Sequence, residues 1–192
     1  MVAEVKVLIK GFIDLKKDTG WSTISLIIDK DIIMVVDPGT VRSQKDIADA
    51  LKKEGLNIND VNYVGISHSH LDHYRNIGMF PKAKSIDYWG IWDKDKLISK
   101  NWDCDLSKNI HIMKTPGHSS DGITFFVKSN EGIIAICGDI FWKKNFPKDG
   151  EDPFVNDQNL LIGSRKKILE RADWIIPGHE NIFKSQFPPP KI

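Results

Sequence analysis

The segment "HSHLDH" places His68, His70, Asp72 and His73 within six positions, directly after the apolar run "VNYVGIS". Half of the chain's six histidines stand there. Neutral imidazole nitrogens and carboxylate oxygens suit a divalent cation such as zinc, held at roughly 2.0–2.2 Å, and a site that keeps one position open can activate water. Three more residues of ligand type recur downstream: His118 in "TPGHSSD", Asp139 in "ICGDIF" and His179 in "IIPGHEN". Each begins a polar turn after an apolar, strand-like run, as does Asp37 in "MVVDPG". A loop anchored on a rigid sheet is where functional side chains usually sit. Seven ligands are too many for one tetrahedral ion and suit two ions with a shared aspartate. Such a pair, roughly 3.5–4 Å apart, holds a bridging hydroxide and stabilises developing negative charge. His111 alternates with Ile110 and Ile112, so it points to the opposite face and is left out of the set.

The elements that must position these residues are mostly strands. Residues 4–13, 22–29 and 32–37 carry β-branched, alternating or continuous apolar patterns between polar turns. Residues 43–54 read as a helix, with Ser43 as its cap, apolar Ile47, Ala48 and Leu51 at helical spacing, and Gly55 beyond its end. "VNYVGIS" is a short strand, residues 74–80 begin a helix, and "AKSIDYW" is a further strand. "IHIMK", "GITFFVK" and "GIIAICGD" give three more, the last two joined by the hairpin signal "SNEG". Residues 157–172 form a late helix before the strand "DWIIP", and the tail "PPPKI" holds no structure of its own. No repeat or linker divides residues 1–192, which are expected to form one domain of layered α/β type, two sheets face to face with helices outside.

With 27 basic and 26 acidic side chains the net charge is +1, which argues neither for nor against nucleic acid. No apolar run reaches the roughly 18 residues of a spanning helix, and "MVAEVKVLIKGFID" lacks the features of a leader, so a cytoplasmic protein without membrane contact is expected. Cys104 and Cys137 are read as free thiols, Cys137 being buried in its apolar run.

Taken in order, Asp37, the His68-x-His70-x-Asp72-His73 run, His118, Asp139 and His179 resemble the five motifs of the metallo-β-lactamase-fold hydrolase superfamily, over nearly the whole chain. The resemblance implies an α/β, four-layer αββα sandwich of two mixed sheets with the metal site at one edge. It also implies that His68, His70 and His118 bind one metal, that Asp72, His73 and His179 bind the other, and that Asp139 bridges them. Asp37 would orient a ligating imidazole, and Asp72 would also orient or accept a proton from the hydroxide. Two zinc ions are the expected cofactors, with iron or manganese as alternatives. "NIGMFP", "TPGHSSDGITFFV" and "SRKKILERADWIIPGH" are similar, more narrowly, to the metallo-β-lactamase domain-containing protein 1 group and its prokaryotic relatives.

The animal member of that group is associated with RNA cleavage, which places hydrolysis of a phosphodiester first. Its substrate would be a small molecule or short nucleic acid, with Arg75, Lys143 and Lys144 as candidate phosphate contacts. Hydrolysis of a thiolester, lactone or lactam, as by glyoxalase II and with side activity on β-lactams, is the alternative. An iron-dependent persulfide dioxygenase is the third. Trp21, in a loop ahead of a strand, and Trp89, Trp92, Phe141 and Trp142 are candidate pocket walls, and a homodimer is a further expectation from the family.

Overall fold

Neighbouring residues on several strands are both apolar yet enter different cores, and that alternation builds the layers. The computed structural model describes residues 2–144, 147–148 and 151–185. Its first half runs β1 (Glu4–Ile9), β2 (Phe12–Asp14), β3 (Thr19–Trp21), β4 (Ile24–Asp29), β5 (Ile32–Val36), α1 (Gln44–Lys53), β6 (Tyr63–Gly65), α2 (Leu71–Tyr74), β7 (Lys84–Asp87), β8 (Gly90–Asp93) and β9 (Lys96–Ser99). The second runs β10 (Asp103–Asp105), β11 (Ile110–Lys114), β12 (Ile123–Ser129), β13 (Gly132–Ile136), α3 (Gln158–Arg171), β14 (Trp174–Ile176) and β15 (Phe183–Lys184).

One sheet has seven strands in the order β1-β4-β5-β6-β7-β8-β9, with β5, β6 and β7 parallel. The other has six in chain order from β10 to β15, with β13 and β14 parallel. Both sheets are therefore mixed. Ile27, Met34 and Val36 of the first face Ile112, Phe125, Val127, Ile134 and Ile136 of the second in a shared core. The residues between them in sequence turn outward. Leu26 and Val35 meet Ile47 and Leu51 of α1, while Phe126 and Ala135 meet Leu161 and Ile168 of α3. The order is thus helix, sheet, sheet, helix, as the sequence implied. Phe125 is fully buried at the middle of the sandwich. Its replacement by alanine is expected to lower the stability of the metal-free protein by about 3–5 kcal/mol, read by chemical denaturation, because a cavity remains where the ring stood.

Local chemistry explains where the elements stop. Ser43 and Asp46 form a reciprocal capping box on α1, and Gly55 follows its end with φ of +76°. Residues 4–13 are not one strand. Gly11 lies so close to Thr23 and the Gly178 carbonyl that a side chain would not fit, and its N–H turns to the Thr23 hydroxyl at 3.2 Å. The chain leaves the sheet there and makes the separate β2–β3 hairpin. The helix expected over 74–80 starts earlier, at Leu71, and ends at Tyr74. The Asn76 N–H bonds the Pro38 carbonyl at 2.8 Å, which draws the chain toward the turn after β5, and a single 3₁₀ turn, Ile77–Met79, follows. Cys104 and Cys137 are free thiols, and burial pushes the Cys137 thiol pKa upward. "PPPKI" lies outside the described residues. Among the described residues, no helix is long and apolar enough to cross a membrane.

Candidate metal centre

The chain reaches one edge of the sandwich five times. Asp37 follows β5, His68 and His70 follow β6, and Asp72 and His73 lie on α2. His118 sits between β11 and β12, Asp139 in the 3₁₀ turn after β13, and His179 after β14. There the structure brings His68, His70, His118 and Asp139 into one group and Asp72, His73 and His179 into a second.

In the first group His70 Nδ1 lies 3.0 Å from both His68 Nε2 and His118 Nε2. Asp139 Oδ2 stands 3.5 Å from His118 Nε2 and 4.0 Å from His68 Nε2. Four ligands on tetrahedral bonds of about 2.05 Å would sit roughly 3.3 Å apart. In the second group His73 Nε2 is 3.8 Å from Asp72 Oδ2, and His179 Nε2 is 3.6 Å from the same oxygen. Asp139 joins the groups, with Oδ1 3.3 Å from His73 Nε2 and Oδ2 3.2 Å from His179 Nε2.

The outward nitrogens decide what the inward ones can do. His118 Nδ1 donates to the buried Asp152 carboxylate at 2.8 Å, His179 Nδ1 to the Trp21 carbonyl at 3.0 Å, and His73 Nδ1 to Asp37 Oδ2 at 2.9 Å. The Ser67 hydroxyl donates to Asp37 Oδ2 at 2.7 Å, so its oxygen accepts from His68 Nδ1 at 3.1 Å. An imidazole whose Nδ1 holds the proton presents a lone pair at Nε2. In the neutral imidazoles several lone pairs therefore converge with a carboxylate. His73 Nε2 and Asp139 Oδ1 are both buried without a hydrogen-bond partner. This donor set fits a pair of divalent cations.

Electrostatics separates the groups. Burial, aided by the neighbouring imidazoles, holds the pKa of His68 well below the ordinary histidine value and lowers His70 as well. Burial also opposes a charge on His73 and His179, but the Asp139 carboxylate outweighs it at both, with Asp37 adding at His73, and both pKa values are raised. Burial works against the Asp139 charge too, yet His179 and His73 hold its pKa well below the carboxylate range. In the metal-free protein a proton thus occupies the second group, stabilising the fold fully below the ordinary histidine value of about 6.5 and lost as pH rises through the raised value. A cation must displace it. Chelator-competition titrations should show affinity at the Asp72, His73 and His179 position falling by up to about tenfold per pH unit per proton below the raised values. The position with His68 and His70 should hold its affinity down to about pH 6.5, where those imidazoles remain neutral.

Asp37 is the hub beneath the cluster. It is buried, has a left-handed φ of +53°, and accepts from the Ser67 N–H and hydroxyl and from His73. Asp152, which orients His118, carries no signal of spacing or hydrophobic context that sequence reasoning could have used. Trp21 contributes its carbonyl, while its ring packs on Phe12 at 4.1 Å, under the Arg42 guanidinium. Trp142 is buried against His118 and His179 and stacked on exposed Phe154. Phe141 packs on Phe183 instead. Lys143 Nζ is bound to the Ile13 carbonyl at 3.0 Å, Lys144 has an exposed side chain, and Arg75 is exposed just past α2. His111 lies on the outer face near Phe126, paired with Asp103 and Asp105.

The model of the metallo-beta-lactamase superfamily matches residues 20–112. A protein of Methanocaldococcus jannaschii named "Probable metallo-hydrolase" is 31% identical over 153 residues, covering 78% of this chain and 71% of that one. The chain belongs to the metallo-β-lactamase superfamily. Within it, metallo-beta-lactamase domain-containing protein 1 of Xenopus laevis is 26% identical over 192 residues, 94% of this chain and 81% of its own. The chain spans 48% to 62% of the length of other curated relatives, from Caenorhabditis elegans and mammals. Among solved structures, a metallo-beta-lactamase-class protein from Thermotoga maritima superposes with a TM-score of 0.75 at 20% identity, covering 96% of this chain and all of that one. A metal-dependent hydrolase, the enzyme class read from the motifs, accords with this membership.

Proposed function

We propose that the chain is a dinuclear hydrolase of an uncharged acyl compound, a lactone, ester or thiolester. The observation that carries this reading is the recess of about 270 Å³ that reaches His68 and Ser69. Among the described residues its lining is Ile66, Tyr74, Tyr88 and Trp89 with Asp87 and Asp121 and includes no lysine or arginine, while the Lys114 ammonium lies 4.1 Å over the Tyr88 ring. Leu71 and Phe154, also exposed, stand near the same cluster, one next to His70 in sequence and one stacked on Trp142. Two carboxylates and an aromatic wall repel a polyanion and accept an apolar acyl group. The sequence had favoured a phosphodiester. That preference rests on the resemblance to a group with an RNA-cleaving member; of the candidate phosphate contacts Lys143 is tied to a main-chain carbonyl, and together with the recess this turns the reading to a carbonyl centre.

In this reading His68, His70, His118 and Asp139 hold one cation, and Asp72, His73 and His179, with the shared Asp139, hold the other. Two zinc ions, when bound, supply a nucleophilic oxygen at neutral pH and stabilise charge on the substrate oxygen. The chain does the rest. Asp139, buried and flanked by four imidazoles, fixes the spacing. Asp72 is the carboxylate of the cluster with an open edge, its side chain 37% exposed, so it takes the proton released as the carbonyl is attacked and returns it to the departing oxygen. The apolar rim holds the acyl chain and sheds water.

A parallel panel of lactone, thiolester, lactam and phosphodiester substrates, run with zinc-loaded protein and a His68→Ala control, tests the reading. Turnover of a lactone or thiolester is expected. Turnover confined to the phosphodiester, or oxygen uptake with a persulfide on iron-loaded protein, would replace it.

A further inference from the structure

A second recess, of about 530 Å³, lies between β1, the β2–β3 hairpin and α1, and none of the cluster residues lines it. Its floor is apolar: Leu8 and Ile9 from β1, Trp21 from β3, Val41, and Ala50 from α1, all half-buried. Its rim carries four charges, from Arg42, Asp46, Asp49 and Lys53. The charges are not equally available. Asp46 is engaged in the α1 capping box, where it accepts the Ser43 N–H at 3.1 Å, and Asp49 pairs with Lys45 one turn earlier. Arg42 lies over the Trp21 ring at 5.6 Å, and the Asp49 pKa is lowered mainly by its hydrogen bond from Lys45, with Lys52 and Lys53 adding smaller contributions. Neither Arg42 nor Lys53 is ion-paired among the described residues.

We propose that this recess binds an amphipathic monoanion, an apolar body with one carboxylate or phosphate head. The volume is that of a small-molecule site. The body lies on Leu8, Ile9, Val41 and Ala50 against the Trp21 face, and the head meets Arg42, whose planar fork matches a carboxylate or phosphate, with Lys53 as the second charge. A cationic amphiphile of the same length would meet unpaired positive charge instead. None of the metal-cluster residues lines the site, which adjoins the cluster through Trp21, whose carbonyl accepts from His179, and it does not depend on which bond the chain hydrolyses.

The test uses the metal-loaded full chain, freed of excess ion, and three probes of equal chain length: decanoate, decanol and decylammonium. Calorimetry gives affinity, and backbone amide NMR shifts give location. Decanoate is expected to saturate with shifts at Val41, Arg42 and Ala50, and decylammonium to bind at least tenfold more weakly. In Arg42→Glu/Lys53→Glu the order of the two charged probes should reverse, and Ala50→Trp should block both. Absence of saturable decanoate binding, shifts confined to the residues around His68, or an affinity unchanged in either variant would overturn the proposal. Should the charge-reversed protein fail to fold, Ala50→Trp decides alone. Retained binding there overturns the site, and lost binding supports it.

Discussion

Gly178→Ala is expected to weaken both metal positions, although residue 178 is itself no ligand. A Cβ built on Gly178 would fall on Asp139 Oδ1 and come within 3.0 Å of its Cγ. Asp139 cannot give way, because its two oxygens face His73 on one side and His118 and His179 on the other. The clash therefore moves the one carboxylate shared by both groups. Displacement of such a group by about 1 Å costs on the order of 10²-fold in rate, and here the loss of bound metal adds to it. Metal analysis after dialysis should fall from two ions per chain to below one. Added zinc should raise the melting temperature of the parent and not of the variant, since only the folded parent offers a site. Full metal content in Gly178→Ala would show that Asp139 is not the shared ligand.

Asp37→Asn is the second large effect, and it acts through a proton. Asparagine tolerates the left-handed backbone that Asp37 adopts, so the substitution probes the hydrogen bonds rather than the turn. The carboxylate accepts from Ser67 twice and from His73 once, whereas an amide has a single acceptor oxygen and adds two donors. With an N–H facing it, His73 Nδ1 becomes the acceptor and the ring proton moves to Nε2, the atom aimed at the cluster. That position then binds metal about 10–100-fold more weakly. The Ser67 hydroxyl loses its acceptor as well, and His68 with it. The metal-free fold is expected to lose roughly 1–3 kcal/mol for the unmatched buried groups. An unchanged second-metal affinity in calorimetric titration would remove Asp37 from the site.

Much of this arrangement was legible before any coordinates. The apolar runs "GITFFVK" and "GIIAICGD" marked strands, but being apolar throughout they did not say that Phe125 and Ile136 face the inner core and Phe126 and Ala135 the outer one. Polar turns after apolar runs located all seven residues of the two groups. What escaped detection was short, polar or non-local. β8, β9 and β10 are three or four residues long and lie within a charged stretch whose apolar periodicity is too brief to register. The early end of α2 depends on an N–H captured by Pro38, distant in sequence. Asp152 and the Trp21 carbonyl orient ligands from 34 and 158 residues away, and nothing in their own neighbours marks them. Lys143 is a case of the same kind. A charge in a loop shows its sign in the sequence, but not that its ammonium is capped by Ile13.

The claim beneath all of this is that two cations share Asp139. Anomalous diffraction from crystals of the zinc-loaded protein, collected at the zinc edge, tests it directly. Two peaks roughly 3.5–4 Å apart are predicted, one among His68, His70 and His118 and the other among Asp72, His73 and His179, with the Asp139 carboxylate reaching both. An absence of signal at the cluster, or a single ion held away from Asp139, would contradict it.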